Sequence, residues 1–156
     1  MKRKIYIAYG SNMSTEQMEF RCPDARLIGT GKLKDWRLMF KGSLSGNYAT
    51  IEREENCEVP VLLWKISAKD EKSLDRYEGC PTFYYKTEIE VETDDGEILT
   101  GIVYIMHEER KLGLPTDYYY SVLRDAYEKF HFDLNILEEA VEFSDTENFD
   151  GEFSDE

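Results

Sequence analysis

The chain of 156 residues has the size of one domain and is long enough to bury a single hydrophobic core. Its 41% hydrophobic and 13% aromatic content is typical of globular proteins and excludes general disorder. Much of the net charge of -14 lies at the C-terminal end, because residues 132–156 hold ten carboxylates and no Lys or Arg. A negative chain without a basic stripe is a poor partner for nucleic acid or an anionic membrane.

Targeting signals and metal-binding spacings are both missing from the sequence. The apolar run after residues 1–4 is too short for a secretory signal, and no stretch approaches transmembrane length. The three cysteines, Cys22, Cys57 and Cys80, have no C-x-x-C spacing, and their odd number leaves one unpaired under any disulfide scheme. We therefore expect reduced thiols, a cytoplasmic location, no metal and no other cofactor.

The first half of the chain is predicted to be mostly β-structure. Residues 4–9 form a first strand, and Ser14 is placed as the N-cap of a helix over residues 15–21 that stops before Pro23. Four β segments follow, the last two separated by a charged loop over residues 52–58, and they cover residues 26–33, 36–40, 48–51 and 59–66.

The second half combines helices with one clear hairpin. A capping box at Ser67 and Asp70 opens a helix that ends at Gly79. The hairpin joins residues 83–92 and 98–106 through an Asp-Asp-Gly turn, and the last helices start at Pro115 and Leu134. These elements predict an α+β fold, either a small mixed β-barrel or a strongly curved sheet with helices packed outside.

The C-terminal boundary is predicted from charge. We expect one domain over residues 1–141 and a flexible acidic tail over residues 142–156, since uncompensated like charge opposes packing.

A candidate binding loop follows the first strand, at Tyr9, Gly10, Ser11 and Asn12. A strand, a short glycine loop and a helix start together direct several backbone N–H groups towards one point, which attracts an anion or a developing oxyanion. The same pattern also occurs in turns that bind nothing, so the loop alone does not decide between the two interpretations.

A second stretch contains Leu74-Asp75-Arg76-Tyr77-Glu78-Gly79, followed by Pro81, Tyr84, Tyr85 and Lys86. Together with the N-terminal Tyr-Gly-Ser-Asn loop, it resembles the γ-glutamylcyclotransferase-like family, which includes γ-glutamylamine cyclotransferases and the plant AIG2-like proteins. The resemblance runs from about residue 4 to about residue 123. It implies an enzyme that forms 5-oxoproline from a small γ-glutamyl substrate, when the substrate's α-amine attacks its own γ-carbonyl.

The resemblance also implies roles for individual residues. Glu78 matches the family's catalytic glutamate and would act first as base and then as acid, helped by burial among Tyr77, Tyr84 and Tyr85 that raises its pKa. Gly10, Ser11 and Asn12, with Tyr9, would contact the substrate mainly through the main chain. By spacing, Tyr85 and Tyr119 are the candidates for tyrosines that close the pocket.

Two other functions remain open at this point. A non-catalytic module could use the same pocket to bind a small molecule or a partner, although such a module has no need for an ionisable Glu78. A cysteine-dependent amidohydrolase could use Cys80 as its nucleophile. The leaving amine is not predicted, although the acidic residues at 52–58 would suit a cationic product.

Overall fold

The computed structural model describes residues 3–43 and 46–146. Within these ranges the strands are β1 Lys4–Ala8, β2 Arg26–Ser43, β3 Gly46–Ile66, β4 Tyr84–Thr93, β5 Ile98–Met106 and β6 Lys111–Leu112. The α-helices are α1 Thr15–Arg21, α2 Ala68–Tyr77, α3 Asp117–Lys129 and α4 Leu134–Ser144, and a short 3-10 helix covers Ser11–Met13. None of these helices is long and apolar enough to cross a lipid bilayer.

Five of the strands close into a mixed barrel. They follow the order β3-β1-β5-β4-β2, and β2 pairs again with β3 to complete the circle. The β1–β5 pair is parallel, through Tyr6 and Ile102, whereas the other pairs are antiparallel. The short β6 pairs with β2 at Lys41 and Gly42. The predicted α+β barrel with helices outside it is therefore confirmed.

The hydrophobic core draws on all five barrel strands and all four α-helices. Residues 59–66 of β3 are buried except Lys65, so both faces of this part of the strand are covered. Each helix contributes its apolar stripe to this core: Met18, Leu74, Leu123, Tyr127, Leu137 and Ala140 are buried.

The elements with strong local signals lie where they were predicted. Helix α1 covers the predicted residues, and the Ser14 side chain accepts a hydrogen bond from the Gln17 N–H. The capping box of Ser67 and Asp70 opens α2, and the hairpin of β4 and β5 turns through Gly96. Thr116 caps α3.

Two predictions for the strands were wrong. Residues 26–43 form one strand rather than two segments, and residues 52–58 belong to β3 rather than to a loop. The break that was predicted between the two segments, at Lys34 and Asp35, is a β-bulge within a continuous strand. Asp35 adopts a φ of 66° where the β2–β3 register shifts. The Asp35 carboxylate accepts a hydrogen bond from the Asn56 N–H at 3.1 Å, which joins the two strands across the irregularity.

The predicted acidic tail begins inside α4. This helix continues to Ser144, whose buried hydroxyl accepts a hydrogen bond from the Phe40 N–H at 2.8 Å and donates one to the Ala140 carbonyl at 2.8 Å. Residues 147–156, where flexibility is expected, lie outside the described residues.

Candidate active site

A cavity of about 400 Å³ lies where the loop after β1 meets the C-terminal end of α2. Its lining is rich in tyrosine and comprises Tyr6, Ile7, Tyr9, Gly10, Ser11, Asn12, Tyr48, Ala49, Tyr77, Glu78, Phe83, Tyr84, Tyr104 and Tyr119. The structure therefore brings together Glu78, Tyr119 and the four loop residues that the sequence singles out. Glu78 supplies the only carboxyl group of this lining.

The backbone of the loop is held in a tight turn. The Met13 N–H donates to the Gly10 carbonyl at 3.0 Å, and the Ser14 N–H donates to the Ser11 carbonyl at 2.9 Å. The preceding amides, those of Gly10, Ser11 and Asn12, donate to no other described residue, as expected at the start of a helical turn. These N–H groups remain available to a bound molecule.

The side chains of the loop are engaged by the protein itself. The Tyr9 hydroxyl donates to the Tyr104 carbonyl at 2.6 Å, and the Asn12 amide nitrogen donates to the Tyr6 hydroxyl at 3.0 Å. The Ser11 hydroxyl is hydrogen-bonded to the Tyr77 hydroxyl at 3.0 Å. These bonds fix the loop and leave its main chain as the part available to a ligand.

Glu78 is the C-cap of α2 and is placed by the turn that follows the helix. Gly79 adopts a φ of 63°, a left-handed conformation that glycine adopts readily, and the chain leaves the helix there. No described residue donates a hydrogen bond to the Glu78 carboxylate. Burial raises the pKa of Glu78 to about 7, although the positive charge of Arg21 opposes this effect. Near neutral pH the carboxyl group can thus both accept and donate a proton.

Aromatic rings surround Tyr48 and Ala49 of β3 in one wall of the cavity. The backbone of Ala49 is held on both sides, since its N–H donates to the Tyr119 hydroxyl at 3.1 Å and its carbonyl accepts from the Tyr84 hydroxyl at 2.8 Å. The Tyr48 and Tyr119 rings pack edge to face with centroids 5.3 Å apart. A Cβ atom on Gly10 would lie 3.2 Å from the Tyr119 hydroxyl, so this position favours a residue without a side chain.

The prediction for Tyr85 was wrong. Successive side chains of a strand point to opposite faces, and in β4 it is Tyr84 that lines the cavity. The Tyr85 hydroxyl donates instead to the Glu108 carboxylate at 2.5 Å, and its ring lies 5.2 Å from that of His107.

Several lining residues were not predicted to bind the substrate, namely Tyr6, Ile7, Tyr48, Ala49, Tyr77, Phe83, Tyr84 and Tyr104. Tyr77 and Tyr84 lie inside the second motif, where they were expected only to bury Glu78. The others belong to strands or to the segment before β4, and their positions depend on how the barrel closes.

The alternative chemistries gain no support from the cavity. Cys80 does not line it, and burial raises rather than lowers the pKa of the Cys80 thiol. Across residues 3–43 and 46–146, no group of three or more His, Cys, Asp or Glu side chains is placed to hold a metal ion.

The acidic residues at 52–58 do not form a rim of the cavity. Glu52 pairs with Lys41 at 2.5 Å, and Glu54 lies 3.7 Å from Arg37. None of the four glutamates in this part of β3 lines the cavity. The expectation of a rim suited to a cationic product is therefore wrong for this cavity.

The small closed barrel thus encloses a cavity whose lining includes one carboxyl group and a loop with three backbone amides that donate to no other described residue. The family model described as gamma-glutamyl cyclotransferase, AIG2-like, matches residues 6–122. The chain belongs to this family.

Relatives of known sequence and structure agree with this assignment. The chain is 34% identical over 110 residues to human gamma-glutamylcyclotransferase, in an alignment that covers 65% of the chain, and it matches the mouse protein equally well. The aligned part spans 58% of the length of these curated relatives.

Solved structures extend the comparison to most of the chain. A gamma-glutamyl cyclotransferase is 27% identical with a TM-score of 0.81, over 89% of this chain and 86% of that one. A human protein solved as uncharacterized is 28% identical with the same TM-score, over 90% of this chain and 87% of its own. An AIG2-like protein from mouse, 15% identical with a TM-score of 0.56, shares the fold.

Proposed function

We propose that the protein is a γ-glutamylcyclotransferase that releases 5-oxoproline from a small γ-glutamyl compound. The observation that carries this proposal is the Glu78 carboxyl group, which lines the cavity without a hydrogen bond from any described residue and has a pKa of about 7. The family membership and the names of the curated relatives support the same activity. Three unpaired cysteines fit the cytoplasmic location that we also propose.

The reaction is internal to the substrate. The substrate's α-amine nitrogen forms a bond to its γ-carbonyl carbon, and Glu78 takes the proton that this nitrogen loses. The C–N bond to the leaving amine then breaks, and Glu78 returns the proton to the leaving nitrogen. The products are 5-oxoproline and a free amine, so no oxidant, reductant or covalent intermediate with the protein is required.

The loop after β1 stabilises the charge that develops during this reaction. As the amine attacks, the γ-carbonyl oxygen becomes negative and needs hydrogen-bond donors placed in advance. The amide N–H groups of Gly10, Ser11 and Asn12 take this role or bind the α-carboxylate, because the side chains of the loop already have partners. Tyr119 holds the opposite wall through Ala49.

The product of turnover tests this function. The purified protein is incubated with a panel of γ-glutamyl amino acids and γ-glutamyl amines, and the products are identified by mass spectrometry. We expect 5-oxoproline and the free amine from at least one member of the panel. Release of glutamate instead would indicate hydrolysis, and binding of these compounds without turnover would indicate a binding module; either result would contradict the proposal.

A further inference from the structure

Arg21, the last residue of α1, is a half-buried cation for which no carboxylate lies within ion-pair distance among the described residues. Its Nη1 donates to the Asn12 side-chain carbonyl, and its Nη2 donates to the Gln17 side-chain carbonyl at 3.4 Å. Both acceptors are neutral amides. The positive charge of Arg21 is therefore not neutralised by an ion pair in this part of the molecule.

Arg21 also contacts Tyr77, a residue at the end of α2 that lines the cavity. The carbon of its guanidinium group lies 3.4 Å from the centroid of the Tyr77 ring, a stacking distance for a cation on an aromatic face. The Tyr77 hydroxyl in turn is hydrogen-bonded to the Ser11 hydroxyl. Arg21 thus contacts Asn12 in the loop and Tyr77 at the end of α2. These two segments also contact each other through the Ser11 and Tyr77 hydroxyls.

We propose that Arg21 is a positioning residue that fixes the loop of residues 9–12 against the C-terminal end of α2 and favours the ionised form of Glu78. The guanidinium group suits the first role because its planar fork can hold the Asn12 and Gln17 oxygens while its face stacks on Tyr77. The guanidinium group is held on the ring of Tyr77, the residue before Glu78, and its positive charge performs the second role by stabilising the negative charge of the Glu78 carboxylate. The part of this proposal that concerns turnover rests on the proposed function.

The effect of Arg21 on the ionisation of Glu78 depends on which other groups face this carboxyl group. Those with an electrostatic interaction with it are Tyr6, Tyr9, Arg21, Tyr84, Tyr119 and Cys80, with Tyr77 adjacent in the chain. Burial raises the pKa of Tyr6, Tyr9, Tyr84, Tyr119 and Cys80, so these groups are neutral near pH 7. Arg21 is therefore the charged group that acts on Glu78 in the described structure.

Two substitutions separate the charge from the geometry. Arg21→Gln removes the charge, so the pKa of Glu78 should rise by about 1 unit, the lower end of the effect of losing a nearby opposite charge. Arg21→Lys keeps the charge but loses the planar fork, so the pKa should stay within a few tenths of a unit. The same lysine variant should lower kcat for 5-oxoproline release about tenfold, because the loop and Glu78 are no longer held together. Arg124→Gln, at an exposed arginine of α3 that does not line the cavity, is the control.

The pKa of Glu78 is measured by NMR titration of its ¹³C-labelled carboxyl group, assigned with Glu78→Gln. This titration needs no substrate, so it tests the role of the charge even if no γ-glutamyl compound is turned over. An unchanged pKa in Arg21→Gln would overturn that role, and an unchanged kcat in Arg21→Lys would overturn the positioning role. If Arg21→Gln does not fold, Arg21→Met is titrated in its place with the same expected rise.

Discussion

Glu78 is set apart by its surroundings. A carboxylate at the C-terminal end of a helix is disfavoured by the helix dipole, and burial disfavours the charge further. Arg21 offsets part of this effect, and the pKa of about 7 reflects the balance. A group so placed reduces the stability of the fold, which is a common feature of residues kept for function.

The stability of Glu78→Gln should therefore depend on pH. The folded-state pKa of Glu78 is raised from 4.5 to about 7, so its protonated form stabilises the fold below pH 4.5 and this stabilisation is lost as the pH rises through 7. Glutamine avoids this loss. At pH 8 the variant should have a free energy of unfolding about 1–3 kcal/mol above that of the wild type, discounted because Glu78 is only half-buried.

Urea denaturation at pH 4.5 and pH 8 measures this difference. Glu139→Gln, at an exposed position of α4, is the control and should show no such dependence. A Glu78→Gln variant that gains nothing between the two pH values would mean that the carboxylate is not disfavoured in the folded state.

The residues of the site differ in whether the sequence predicts them. Glu78 and the loop at residues 9–12 were predicted because short motifs carry them. Tyr85 was chosen over Tyr84 because spacing along the chain does not decide which face of a strand meets the cavity. In β4 both Tyr84 and Val91 are buried although they lie on opposite faces, so hydrophobic alternation could not decide either.

At the scale of elements, the end of α2 decides where Glu78 points. Gly79 has a φ of 63°, and a Cβ atom added there would lie 3.3 Å from the Cβ of Phe83, which lines the cavity. Gly79→Ala should lower the free energy of unfolding by about 1–2 kcal/mol through the left-handed backbone. It should also lower the rate of 5-oxoproline release, because Glu78 and Phe83 shift.

Gly96→Ala provides a matched control for this substitution. Gly96 has a φ of 86° in the turn between β4 and β5, and an added Cβ atom would meet nothing within 4 Å. Both variants are compared by thermal denaturation and by kcat. Equal losses of activity in the two would show that the end of α2 has no special role.

The elements differ in how far the sequence predicts them. The caps at Ser14 and Ser67 depend on residues within one helical turn, so local patterns were sufficient to predict them. The continuity of β2 and β3 depends on their pairing over most of their length, which overrides the turn signal at Asp35 and the charges at residues 52–58. Pairing between distant residues leaves no local signal in a single sequence.

At the scale of the whole molecule, the cavity exists because the barrel closes. Its lining comes from β1 and the following loop, β3, the end of α2, β4, β5 and α3, which are separated by up to about a hundred residues in the chain. In the closed barrel Tyr104 lies beside Tyr9, and helix α3 places Tyr119 beside Ala49. The fold class could be predicted from the order of elements, whereas the composition of this aromatic wall could not.

Proton transfer by Glu78 is tested by the rate of 5-oxoproline release by Glu78→Gln relative to the wild type, on the best substrate of the γ-glutamyl panel. Glutamine keeps the size of the side chain and removes its ability to accept a proton. We predict a loss of about 10²- to 10⁴-fold in kcat, the usual contribution of a general acid and base, and no loss in Glu139→Gln. Equal rates for Glu78→Gln and the wild type would contradict the assignment of proton transfer to Glu78.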